Sequence, residues 1–196
     1  MPTKPKVPAE PTDPSDRSPI RIRPYEERDS AATLAILLAA ITRTAAADYT
    51  PEQVRAWARP DEREPASWHA GMAARNSFVA TVGSEVAGFS DVDRHGYIDM
   101  MFVAPERQRR GVAHTLLAEA ERRAREYAAD ELHADVSLTA RPFFERHGFR
   151  VEFEQHQVRD GVELVNFRMS KALDRPRPPA SWGVPSSFSP DESYLL

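Results

Sequence analysis

The chain has 196 residues, 41% hydrophobic and 29% charged, with a formal net charge of −4, a balance that suits a globular domain with tails and argues against a nucleic-acid partner. Cysteine is absent, which excludes disulfides, thiolate catalysis and cysteine-based metal sites. No apolar run reads as a membrane span and the N-terminus lacks the apolar core of a secretory signal, so a cytoplasmic protein with no membrane partner is expected.

Residues 1–19 hold six of the 17 prolines, and five more lie in 174–196. Such segments bury too little apolar surface to offset the entropy of ordering, so 1–19 and 172–196 read as tails around one domain at 20–171. Docking through Trp182, Phe188, Tyr194 and Leu195 is the alternative for the second tail.

The domain opens at Ile20 with an alternating strand, Ile20-Arg21-Ile22-Arg23. Asp29 or Ser30 can cap a helix that turns Ala32, Leu34, Leu37, Leu38 and Ile41 inward. Thr50-Pro51-Glu52-Gln53 has the form of a capping box with proline at the first helical position, opening a helix with Val54 and Trp57 inward. Ser67 to Ala74 is a further short helical piece. Strands follow at Ser77–Val82 and Glu85–Val92 around the turn signal Gly83-Ser84.

Tyr97 to Val103 is a short apolar-rich run, the pattern of a buried strand, and Pro105 ends it. Val112, Leu116, Leu117, Ala120, Ala124 and Tyr127 then recur at helical spacing. Between them lies Gln108-Arg109-Arg110-Gly111-Val112-Ala113. A helix N-terminus offers backbone N–H groups without intrahelical acceptors, and Gly111 lets a phosphate approach closely. The arginines add positive charge. An ordinary strand–turn–helix with solvated arginines would present the same pattern.

Leu132–Ser137 reads as a strand, Arg141–His147 as a short helix and Phe149–Val158 as a strand, with Asp160-Gly161 turning into Glu163–Ser170. Ser137-Leu138-Thr139-Ala140-Arg141-Pro142-Phe143-Phe144-Glu145-Arg146-His147-Gly148-Phe149 spans the junction of two of these elements. A meander followed by one helical crossover favours a mixed sheet over a doubly wound one.

The two blocks resemble the signatures of GNAT-type acetyltransferases, Q/R-x-x-G-x-G/A and S-L-N-A-x-x-F-Y-E-x-x-G-F. The resemblance covers about residues 20–171. It implies the GNAT fold, an α/β (α+β) architecture with a mixed, mostly antiparallel sheet flanked by helices in the order βααββ(β)αβαββ. It also implies an N-acetyltransferase using acetyl-CoA as cosubstrate. Cofactor contacts would come from Met101, Phe102 and Val103, from Gln108, Arg109, Arg110, Gly111, Val112, Ala113 and His114, and from Thr139 and Phe144. The strand at 97–103 would splay from that at 132–137, leaving the Met101 and Val103 amides for the acetyl carbonyl and pantetheine arm. Thr139 stands where the family often has Asn, and Phe144 where it often has the Tyr assigned to reprotonating the CoA thiolate. Phe has no proton to give.

Asp99 is the first candidate for general base, on the central strand and on the face it would share with Met101. A carboxylate there is expensive unless paired, so it is either a base or a structural Asp satisfied by backbone or arginine. Asp135 and the loop residue His95 compete with it. The acceptor pocket implied by the family lies between Tyr49, Trp57 and Trp68 on one side and Arg159–Asn166 on the other. These aromatics at helical spacing serve equally as core, and Asn166 as a sheet residue. No His or carboxylate cluster has metal-ligand spacing, so no metal is expected. The acceptor is a small-molecule or protein amine, and the family resemblance implies a homodimer as one form of assembly. A non-catalytic acyl-CoA-binding module, or the same fold with another acyl donor, are the alternatives.

Overall fold

The computed structural model describes residues 18–174. Most of the two expected tails, with the four aromatic and leucine anchors, lies outside these residues, but Ala172 still pairs with Glu131 and Leu173 is buried in the core, so the domain runs past the expected boundary at 171. In chain order the elements are β1 (Ile20–Pro24), α1 (Ser30–Ala39), α2 (Pro51–Ala58), α3 (Pro65–Ala74), β2 (Phe78–Val82), β3 (Glu85–Ser90), β4 (Tyr97–Ile98), β5 (Met101–Val103), α4 (Val112–Glu126), β6 (Glu131–Ser137), α5 (Arg141–Arg146), β7 (Arg150–Arg159) and β8 (Val162–Ala172).

The strands form two four-stranded sheets, β1-β2-β3-β5 and β4-β6-β8-β7. All pairs are antiparallel except β4 with β6. One core cluster joins Phe78, Ala80, Leu132, Val136, Phe167 and Met169 to Val112, Leu116, Leu117 and Ala120 of α4. A second joins Val79, Phe89 and Leu164 to α1, α2 and α3. Helices thus cover both faces of the strands, as a mixed α/β layer requires.

The expected strand 97–103 is broken in two. Asp91 is 2% exposed, and its Oδ1 accepts the amides of Asp99 at 2.8 Å and Met100 at 3.1 Å. A side chain has replaced the neighbouring strand as acceptor, so pairing stops at Asp99–Met100. β4 goes to one sheet and β5 to the other. Asp99 therefore does not share a strand face with Met101, because no regular strand runs through both.

Two local expectations are also corrected. Asp29 makes no side-chain cap to α1; its carboxylate turns back to Arg23, at 2.5 and 2.7 Å, and to the Glu26 amide. The inward face expected for α1 forms: Leu37 is buried with Thr33 and Ile36, Ile41 just beyond is buried, and Leu34 and Leu38 pack partly buried against the second cluster. Thr33 is tolerated there because it donates to Asp29 O and accepts from Trp68 Nε1 at 3.0 Å. Finally, the helical run Glu27–Ala47, with a mean hydropathy of 1.5, is long and apolar enough to cross a membrane by length and composition. In this fold Ile36, Leu37, Ile41 and Ala45 from that run pack into the second core cluster. The capping box on α2 forms in both directions, Thr50 Oγ1 accepting from Gln53 N and Gln53 Oε1 from Thr50 N.

Candidate active site

The break at Asp99–Met100 creates the site. β5 is the edge of its sheet, bonded to β3 alone. Met100 O accepts from Asp91 N, and Ala104 N donates to Ala87 O, so residues 100 and 104 face β3. By strand alternation, the amides of Met101 and Val103 point the other way, into the gap towards β6.

A cavity of about 450 Å³ fills the end of this gap. Met101, Phe102, Val103, Gln108, Arg109, Gly111, Val112, Ala113, His114, Thr139 and Phe144 line it, together with Ala40, Thr44, Ala45, Ser137, Phe143 and Arg146. Every cofactor candidate from the sequence except Arg110 is present in that lining. Gly111 has φ +88°, a conformation glycine adopts without a Cβ penalty, and it starts α4. The first amide bonded within α4 is Thr115 N, to Gly111 O. The amides of Val112, Ala113 and His114 thus form the positive end of a 15-residue helix dipole at the cavity wall. That wall suits a phosphate, and the largely apolar remainder suits an extended thiol arm.

Sequence reasoning missed the part of this wall supplied by residues 40–45. Here α1 continues as one π-helical turn, Ala40–Thr44. Such turns recur at functional sites, but no sequence pattern announces them. Thr44 Oγ1 accepts from Gln108 Nε2 at 2.9 Å, tying the turn to the motif. Thr139 donates its hydroxyl to Asp48 at 2.7 Å. Phe144 is buried, edge-on to Phe143 and Phe149. His114 Nδ1 lies 3.2 Å from His147 Nε2, and His147 Nδ1 lies 2.8 Å from Phe143 O. Since a carbonyl only accepts, His147 carries its proton on Nδ1 and, when neutral, accepts from His114.

A second cavity, of about 230 Å³, meets the first at Trp57, Phe102 and Ser137. Its floor is one face of the second sheet, where Asp135 and Ser137 of β6, Leu164 and Asn166 of β8, and Gln157 and Arg159 of β7 alternate away from the first core cluster. Tyr49, Trp57, Tyr97, Asp99, Phe102 and Val165 complete it. Tyr49 is fixed there, donating to Val165 O at 2.8 Å and accepting from Leu138 N at 3.0 Å. Burial holds its phenol above the usual range. Trp57 packs edge-on against Tyr49 at 5.4 Å. Trp68, expected nearby, is instead in the core under Phe89.

The charged groups are held by specific partners. Asp99 pairs with Arg75 Nε at 2.7 Å and stays 39% exposed at its side chain. Asp135 is ion-paired with Arg168, whose Nε lies 2.9 Å away, and accepts hydrogen bonds from Arg168 Nη2 at 3.4 Å, Gln155 Nε2 at 3.1 Å and Tyr97 Oη at 3.3 Å. Burial, then the charges of Asp135 and Asp99, pushes the Tyr97 phenol up to about 12, so it stays a donor. Asn166 Oδ1 is buried without a hydrogen-bond partner. His95 is exposed in the loop before β4. Among the described residues, no group of three or more His, Asp or Glu side chains is placed to hold a metal ion.

Residues 45–171 match the family model described as "Acetyltransferase (GNAT) domain". The chain belongs to the GNAT acetyltransferase family. It is 39% identical over 150 residues to the uncharacterized N-acetyltransferase YafP of Escherichia coli (strain K12), covering 76% of this chain and 94% of that one. A solved GCN5-related N-acetyltransferase of Rhodopseudomonas palustris superposes with a TM-score of 0.75 at 32% identity, over 80% of this chain and 97% of that one. The yncA protein of Salmonella typhimurium, solved with acetyl-CoA, shares the fold with a TM-score of 0.61 at 21% identity, over 84% of this chain and 99% of that one. The GNAT chain described here is thus an N-acetyltransferase, and its mixed sheets and flanking helices are those of the family.

Proposed function

We propose that this enzyme transfers an acetyl group from acetyl-CoA directly to the primary amine of a small acceptor, both bound at once. The observation that carries the reading is the junction of two cavities at Trp57, Phe102 and Ser137, beside the unpaired edge of β5. The larger cavity would take the cofactor, its phosphates on the amides of Val112 to His114 and its acetyl carbonyl on the amides at Met101 and Val103. Acetyl-CoA supplies an activated carbonyl. The smaller cavity admits an acceptor of modest size, which favours a small molecule over a folded protein surface.

Asp99 takes one proton from the incoming ammonium, directly or through one water, with Arg75 anchoring the carboxylate. The amine nitrogen then bonds to the carbonyl carbon, polarised by donors aimed at its oxygen. As the C–S bond breaks, the nitrogen's second proton passes to the thiolate through water, since Phe144 offers none. The chain contains no cysteine to carry an acetyl group, which supports a single transfer step.

Initial-velocity kinetics test the sequence of binding. Intersecting double-reciprocal lines are expected, and parallel lines would rule out the ternary complex. Asp99→Asn is expected to lower kcat about 100-fold, the usual scale for a lost proton acceptor, with acetyl-CoA affinity unchanged. A loss confined to KM would make Asp99 a binding group only.

A further inference from the structure

The acceptor cavity is charged unevenly along its floor, and this narrows the substrate. Ser137, Asn166 and Gln155 lie level with one another across β6, β8 and β7. This level adjoins the junction with the cofactor cavity, because Ser137 lines both. Asn166 Oδ1, buried and unpartnered, is there, and Asp99 lines the same cavity. A buried acceptor without a donor is costly, and an ammonium or amine N–H would satisfy it.

Farther along, Leu164 lies opposite Gln157 and Val162 opposite Arg159. Arg159 lines this end of the cavity, and no carboxylate of the described residues pairs with it. Arg63 is nearby, its guanidinium pushed below the usual range by burial and by the charges of Arg159 and Arg59. Its Nε donates to Ala58 O at 2.7 Å and its Nη2 to Trp57 O at 3.3 Å, which turns it towards backbone carbonyls. Arg59 is matched by Glu62 and Asp160. This end therefore carries positive charge without a counter-ion.

From Asn166 to Val162 is four residues of β8, or about 13 Å at the rise of an antiparallel strand. The arginine side chain spans part of that distance. An amine at Asn166 and an anion at Arg159 are then several bonds apart, too far for an α-amino acid.

Resting on the acetyl-transfer reading, we infer that the acceptor is an ω-amino or arylamino carboxylate. Its amine sits between Asn166 Oδ1 and Asp99, its body lies along Tyr49 and Trp57, and its carboxylate is held by Arg159. Planar guanidinium matches carboxylate with two parallel hydrogen bonds, which fixes orientation as well as affinity.

The test is kcat/KM for 5-aminopentanoate and 4-aminobenzoate against their uncharged carboxamides and against α-amino acids, in the wild-type chain and in Arg159→Gln. At least a tenfold preference for the carboxylates is expected, collapsing in Arg159→Gln through KM. Carboxamides used as well as carboxylates, α-amino acids used best, or an equal loss on both classes in Arg159→Gln, would overturn the proposal. Turnover of uncharged amines alone would leave acetyl transfer standing and remove only the carboxylate assignment. Thermal shift with 5-aminopentanoate, in the presence of CoA, reads the same site without turnover. An Arg159-dependent rise in Tm is expected, and its absence counts against the site.

Discussion

Gly96→Ala is expected to lower stability by roughly 3 kcal/mol and to remove most of the activity. Gly96 has φ +83°, and a Cβ built there would lie 1.9 Å from Glu131 O and 3.1 Å from Glu131 C. Both are backbone atoms at the start of β6, so no side chain can swing aside. Gly96 O also accepts from His133 N at 3.0 Å, the bond that begins the β4–β6 pairing. Relieving the clash separates these strands, and with them Tyr97 and Asp99 from Asp135 across the smaller cavity. Urea unfolding measures the effect as a fall in midpoint at constant slope. Gly161→Ala is the control: φ is +78° but nothing lies within 4 Å of the added Cβ, so it carries backbone strain alone, about 1 kcal/mol. Equal losses in the two variants would show that the close approach to β6 is not what Gly96 provides.

Asp91→Ala is expected to cost about 2–5 kcal/mol, because two amides at the strand break lose their acceptor in a buried setting. Asp91→Asn keeps an acceptor oxygen and should cost less. The two variants differ further in what they reveal about pH. Burial raises the Asp91 carboxyl from 3.8 to about 6, against the lowering effects of the Met100 and Asp99 amides. Between those values the folded chain holds a proton that the unfolded chain has released. Stability from this group therefore falls as pH rises from about 4 to 6, and is level above that. The full span is at most about 3 kcal/mol, from roughly 1.4 kcal/mol per pH unit. Asp29 acts in the opposite sense: its folded carboxyl is lowered, chiefly by Arg23 working against desolvation, so its contribution is lost on acidification. The Asp91 effect is accordingly read as the difference in unfolding free energy between wild type and Asp91→Asn across pH 4–7. A difference that does not change over this range would show that Asp91 ionises in the folded chain as it does in the unfolded one.

These two residues also show where reading the sequence stops. The helix faces and turns were legible because their causes are local: the Thr50–Gln53 box, the apolar stripe of α4 and the glycine at the turn before it. Part of the larger cavity's wall was legible for the same reason, since Gln108 to His114 form one contiguous turn and helix start. The break at Asp99–Met100 was not. Residues 97–103 have the pattern of a continuous strand, and what interrupts them is a carboxylate eight positions earlier, placed by β3–β5 pairing. Trp68 was misplaced because a tryptophan facing a pocket and one facing a core have the same spacing. Asn166 looked like either a sheet residue or a contact, and only its unpartnered oxygen separates the two. The partners of Asp99 and Asp135, Arg75 and Arg168, are likewise set by tertiary structure.

Acetyl transfer at the junction of the two cavities requires acceptor-dependent chemistry there. Purified protein incubated with acetyl-CoA and a panel of small primary amines, followed by thiol release and by mass spectrometry of the acceptor, measures this in one experiment. The prediction is thiol released only when an acceptor is present, in equal amount to N-acetylated product. Saturable binding of acetyl-CoA with no acceptor-dependent thiol release from any amine would contradict it.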